Sequence, residues 1–239
     1  MSTFSAGSGS RLVLASAVLL GLTACETSPP VVKPAPPVQA VQEFTPIPAG
    51  ASEYKIVAEE SLLQILVYRG GAMARLGHNH VIASHLLSGS AYVTEDLAQS
   101  RFDAAFPVNE LTIDEPAMRE MAGADFPPGV PQSARDGTRS NMLSEALLDG
   151  AKYPLIRLRA TEVVAAGDYF DVDVEITIKD QVRHVHVPTK ISVENGTLSA
   201  SGEFPLKQSE LGLKPFSIAM GALLVVDEMR VRFNVTARK

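Results

Sequence analysis

The chain has 239 residues, with 21 Lys and Arg against 27 Asp and Glu for a formal charge of −6, and it carries one Cys, no Trp, 16 Pro and 17 Gly. One Cys excludes an internal disulfide framework and any multi-Cys metal knuckle. A mildly acidic balance without a Lys/Arg run argues against nucleic acid as a partner, because phosphate binding needs clustered positive charge.

Seven of the 16 Pro fall between Pro29 and Pro48. Before them, Arg11 is followed by an uncharged apolar run from Leu12 to Leu22. That run is too short to span a bilayer, which takes about 20 residues. One positive charge, a short apolar stretch and small residues are the parts of a cleaved signal peptide. Its end, Leu22-Thr23-Ala24-Cys25, resembles the lipobox of bacterial lipoproteins, in which the Cys becomes the acylated first residue of the mature chain. The competing reading is cleavage at an ordinary Ala site, with Cys25 incidental.

Acylation with palmitate-like chains at Cys25 would make the membrane a partner through an N-terminal lipid anchor. Arg11 is the only charged residue before Cys25, so its loss takes the charge from −6 to −7. Glu26 follows the Cys, and under the sorting rule of enteric bacteria a residue other than Asp there favours the outer membrane. The expected location is therefore the periplasmic side of the cell envelope. Pro-rich sequence with three charges (Glu26, Lys33, Glu43) then reads as an extended spacer. The expected organisation is a signal peptide over 1–24, an acylated Cys and linker over 25–50, and one domain over 51–239.

From Tyr54 onward, period-2 alternation dominates. Phe170 to Ile178 sets Val172, Val174, Ile176 and Ile178 on one face against charged or polar residues. Lys179-Asp180-Gln181 turns the chain, and Val182 to Val193 returns. Asn195-Gly196 is a tight-turn signal, after which Leu198, Ala200 and Phe204 share a side. The last strand, Val225 to Ala237, sets Met229, Val231, Phe233 and Val235 inward. Upstream, Phe102, Ala104, Phe106 and Val108 form one face, and Ile156, Leu158 and Ala160 another. Two helices interrupt the strands: Glu115 to Met121 with Asp114 as N-cap, and Arg139 to Leu148 with Thr138 as cap. About eight strands without a βαβ rhythm predict an all-β closed barrel or a sandwich. A barrel of that size either fills itself with side chains or holds one small apolar ligand.

The ordered landmarks resemble the YceI-like family of bacterial exported proteins over nearly all of 51–239. They are Arg75-Leu76-Gly77; the run from Ser100 to Asp114; Arg139-Ser-Asn-Met-Leu leading into Leu148-Asp149 and Tyr153-Pro154; Ile176 to Pro188; and Gly202 to Leu213. The resemblance implies a lipocalin-like eight-stranded antiparallel barrel with two short helices and an elongated apolar tunnel. It also implies an isoprenoid lipid or quinone-like ligand, no cofactor and no catalytic machinery, and it adds a homodimer as an option. The chain departs from the commoner pattern where many members carry Lys-His-Leu-Gly. Here Ala74-Arg75-Leu76-Gly77 runs into His78-Asn79-His80.

The wall of such a tunnel is expected from Phe102, Phe106, Ile156, Leu158, Val174, Ile176, Phe204, Met229, Val231 and Phe233, all taken from alternation. Four of the five His sit in His-x-His pairs, and on a strand residues i and i+2 share a face. His184 and His186 alternate with inward Val185 and Val187 and so belong to the surface. His78 and His80, with His85 as a third candidate, are the residues that could ligate Zn²⁺ or Cu²⁺. They carry the alternative function, a periplasmic metal-binding or stress-response protein. No Gly-x-Ser-x-Gly elbow or phosphate-binding Gly loop occurs, so an enzyme is not expected.

Overall fold

The structure, a computed structural model, describes residues 46–239. Cys25, the signal segment over 1–24 and the linker up to residue 45 lie outside the described residues.

The chain opens with β1 (Ser52–Ile56), a 3₁₀ turn at Ala58–Glu60, and β2 (Leu62–Val67). Short β3 (Arg69–Gly70) precedes β4 (His80–Ser84), β5 (Ser88–Val93), β6 (Arg101–Pro107) and short β7 (Thr112–Ile113). Helices α1 (Pro116–Ala122) and α2 (Gln132–Leu143) follow. Then come the long strands β8 (Leu155–Ala166), β9 (Tyr169–Ile178), β10 (Gln181–Glu194) and β11 (Thr197–Lys207). Short β12 (Ser217–Ile218) and β13 (Leu223–Val225) lead into β14 (Glu228–Arg238).

Eight strands form an antiparallel ring in the order β1-β5-β6-β8-β9-β10-β11-β14, closed by pairing of β14 with β1 through Ala237↔Ile56 and Arg238↔Lys55. The fold is the expected barrel with two helices. One side chain bridges the break beside that closure. β14 leaves β1 and pairs with β2 from Asn234 to Arg230, and the 3₁₀ turn interrupts the ladder between them. There the Ser61 hydroxyl donates to Val57 O at 2.8 Å and accepts from Thr236 N at 3.1 Å, while Val57 N donates to Thr236 O. The interrupted backbone groups therefore keep partners, as buried peptide groups require.

Beyond that break, β2, β4 and β7 extend off β14. β4 is buried along its whole length because both faces are covered. Leu63, Val67 and Ile82 join the barrel core, whereas Leu66 and Val81 pack outward with Phe126, Met118 and Ala122. Asn195-Gly196 makes the expected tight turn, with both residues at positive φ between Glu194 and Thr197. The seam it starts is short: β10 and β11 pair only from Glu194↔Thr197 to Lys190↔Ser201. Continuing that register would set Pro188 opposite Glu203 and Pro205 opposite His186. Neither proline has the N–H a ladder needs.

The helices correct two expectations. Asp114 does not cap α1; Glu115 holds the N-cap position, and the Asp114 side chain turns back to β4. The second helix runs over Gln132–Leu143, not Arg139 to Leu148, with Pro131 before its first turn. Thr138 lies mid-helix. Its segment, Gln-Ser-Ala-Arg-Asp-Gly-Thr-Arg-Ser-Asn, offers no apolar stripe for periodicity to detect.

Candidate functional site: the barrel cavity and the node beside it

An elongated cavity of about 240 Å³ lies inside the ring. All ten residues expected from alternation line it: Phe102 and Phe106 on β6, Ile156 and Leu158 on β8, Val174 and Ile176 on β9, Phe204 on β11, and Met229, Val231 and Phe233 on β14. Alternation missed further liners from β1 and β2 (Ile56, Leu63, Ile65), where the 3₁₀ turn resets the phase. Liners on β14 run from Met229 to Ala237, roughly 27 Å of strand at about 3.4 Å per residue. Only Ser100, Arg101 and Thr189 depart from an otherwise apolar lining.

Gly202 sits under Phe233, and a β-carbon at position 202 would approach the Phe233 ring to 2.7 Å, so the ring occupies the space the glycine leaves. At one end Tyr54, Val93, Leu198 and Ala237 pack together; at the other, Val108, Leu111, Met142 and Leu148 join the main core. Arg139, one of the family landmarks, fastens α2 there by donating to Leu111 O at 2.7 Å and to Asn109 O. Such a space offers hydrocarbon contacts along its length and almost no directional partner, which suits a long apolar molecule.

The His78-Asn79-His80 segment builds something different. His80 Nδ1 lies 2.6 Å from Asp114 Oδ2, and its Nε2 lies 3.1 Å from the Thr138 hydroxyl. Asp114 Oδ1 accepts from Val81 N at 2.9 Å and from Arg119 Nη1 at 2.5 Å. Arg119 also donates to Asn79 O, and through Nε and Nη2 to Pro127 O. The Asp114 side chain has no exposure, and Arg119 is buried at 4%. Burial alone would push the Asp114 carboxyl up. Hydrogen bonds from His80, Val81 and Arg119, together with the charge of His80, hold it below the ordinary carboxylate value.

Hydroxyl, imidazole and carboxylate stand in a row, as in a nucleophilic triad. The Thr138 hydroxyl also lies 2.9 Å from Ala134 O, one turn back on its own helix, so a backbone carbonyl competes with His80 for its proton. The node therefore reads as a buried clamp joining β4, α1, α2 and the loop at Pro127. Arg119 and this use of Thr138 carried no sequence signal, since the partners stand 34, 5 and 58 positions apart.

The structure places the metal candidates as follows. His78 is exposed, its ring 6.0 Å from that of His80, and both His80 nitrogens already have partners. His85 pairs with Glu115 at 3.0 Å. Among the described residues, no three His, Cys, Asp or Glu side chains are grouped to hold a metal ion. His184 and His186 lie on the outer face beside Asp173 and Asp171.

Comparison with known proteins adds the following. The sequence profile of a family described as the YceI-like domain matches residues 54–237. No curated protein matches the chain. Among solved structures, the fold is similar to BcnA of Burkholderia cenocepacia, at 16% identity and a TM-score of 0.57, over 76% of this chain and 99% of that one. It is also similar to a polyisoprenoid binding domain from Saccharophagus degradans implicated in plant cell wall breakdown. The identity there is 12% and the TM-score 0.51, over 77% of this chain and 97% of that one.

Proposed function

Since residues 54–237 match its profile, the chain belongs to the YceI-like domain family, and from that premise we propose that the barrel is a binding module holding the apolar chain of a lipid, an isoprenoid or quinone-like molecule. The observation that carries this reading is the almost wholly apolar lining of an elongated cavity, in which Ser100, Arg101 and Thr189 are the exceptions. Burial supplies the affinity: each CH₂ removed from water contributes ~0.8 kcal/mol, so a prenyl chain is held with few polar contacts. The polyisoprenoid binding domain from Saccharophagus degradans supports this ligand class by its shared fold. The lipobox-like Leu22-Thr23-Ala24-Cys25 supports a module on the periplasmic side of the envelope, tethered by an acylated Cys25, with Glu26 favouring the outer membrane.

Purification from cells that make the protein, solvent extraction and mass spectrometry test the ligand. A prenyl lipid is expected from the parent and its loss from Ala104→Phe, which places a ring among Phe102, Phe106 and Leu158 in the lining. Equal recovery of lipid from both, or none from either, overturns the reading. For the tether, Cys25→Ser is expected to release the protein from the membrane fraction, and unchanged fractionation removes it.

A further inference from the structure

The chain segments 69–77 and 217–224 form a small lobe with a composition of its own. β3 pairs with β13 through Gly70↔Leu224 and Arg69↔Val225, and β13 pairs with β12. Met73 N donates to Ala222 O at 2.7 Å, and the position of a β-carbon on Gly77 lies 3.1 Å from Leu223. The two segments are therefore tied to each other by backbone pairing and packing. Among the described residues eleven large apolar side chains are exposed, and four of them, Met73, Leu76, Ile218 and Met220, belong to this lobe.

Met220 is presented by its backbone. Ala219, Met220 and Gly221 have φ of 49°, 54° and 87°, three successive left-handed residues of which two carry β-carbons. L-residues avoid that region, and such strain gathers where a side chain must be held for use. Here it holds a side chain that no described residue covers, since Met220 is 107% exposed.

Charge points to the occupant. Residues 68–79 carry the exposed Arg69, Arg75 and His78, and residues 211–226 carry Lys214, with no Asp or Glu in either segment of a chain whose net charge is −6. At the base, Asp125 meets Asn79 through its backbone carbonyl. Exposed apolar tips flanked by cations are what an interfacial element presents to a bilayer: the tips enter the headgroup boundary and the cations meet anionic lipid.

We propose that this lobe is a docking face for an anionic bilayer surface, with Met220 and Ile218 entering the headgroup layer and Arg69, Arg75 and Lys214 around them. The proposal goes beyond the lipid-holding reading and stands or falls without it, because its test uses no barrel ligand.

The chain has no Trp, so Met220→Trp installs a single emitter at the tip. The full chain carrying Cys25→Ser is used, so that no acyl chain contributes. Vesicles of equimolar phosphatidylcholine and phosphatidylglycerol are expected to move the Met220→Trp emission to shorter wavelength and shield it from acrylamide. Tyr169→Trp, at the exposed turn between β8 and β9, is expected to show neither effect. Adding Arg75→Glu and Lys214→Glu to Met220→Trp raises the lipid needed for half the shift by about tenfold or more. No shift at position 220, equal shifts at 220 and 169, or acrylamide shielding at 220 in the protein alone, as a second copy would give, each overturns the proposal.

Discussion

Asp114 and Val174 are both shut away from water, yet one touches donors from His80, Val81 and Arg119 while the other faces only hydrocarbon across the cavity. At the Asp114 node every group depends on a particular partner, because an unpaired charge at that depth has no water to turn to. Along the wall, contacts are non-directional, and one aliphatic side chain substitutes for another at modest cost. Position is fixed by the first region and capacity by the second. The clamp joins β4, α1, α2 and the Pro127 loop, whereas the wall leaves room for a guest.

The largest effect is expected where that contrast is sharpest. Asp114→Ala leaves Arg119 buried without its counter-charge and is expected to cost about 3–5 kcal/mol by denaturant unfolding. A loss under about 1 kcal/mol would mean that the node is no more demanding than the wall. The pH dependence follows from the same carboxylate. Its folded pKa lies below the unfolded one, so the unfolded chain binds the extra proton near pH 4. Its stabilisation is therefore present above that pH and is lost as pH falls through the depressed folded value. Melting curves between pH 5 and 2.5 should show a steeper fall for the parent than for Asp114→Asn.

The wall gives a smaller number. Val231→Ala removes two CH₂-sized groups that already border empty space, so about 1.6 kcal/mol is expected from lost burial, with little added for a new cavity. Saturation with a prenyl lipid is expected to enlarge that difference, because the parent side chain then touches the guest. If Val231→Ala costs as much as Asp114→Ala, the wall is a jigsaw core and the capacity attributed to it is wrong.

The same contrast explains what was legible in the residues. The wall could be read because a strand with one face in a barrel and one in water writes its geometry into period 2, and Val172 to Ile178 or Met229 to Val235 do so without interruption. β4 could not be read this way, since His80 to Ser84 is covered on both faces and has no solvent-facing side. α2 escaped because only Met142 is buried along it, so it carries no stripe. The node was invisible for a different reason. Asp114, Arg119 and Thr138 each have an ordinary local role available, and only the fold brings them to His80.

The smallest predicted effect is also the one of opposite sign. Asp103 stands on the outer face of β6 opposite Arg159, which is already engaged by both carboxylate oxygens of Glu175 at 2.8 and 2.7 Å. Asp103 Oδ2 is buried without a hydrogen-bond partner. Burial raises the Asp103 pKa, Arg159 lowers it by less, and Glu175 raises it again. A carboxylate whose folded pKa is raised keeps its proton longer folded than unfolded, so its contribution is favourable at low pH and is lost as pH rises past the ordinary value near ~4. Asp103→Asn removes a charge that the fold offsets only in part, whereas Asp114→Asn removes one that it offsets fully. At pH 7 the melting temperature of Asp103→Asn should equal or slightly exceed that of the parent, and below pH 3 the two should converge. A clear loss at pH 7 would mean that Asp103 shares Arg159 with Glu175 to real advantage. The outer face of the barrel would then resemble the node more than the wall.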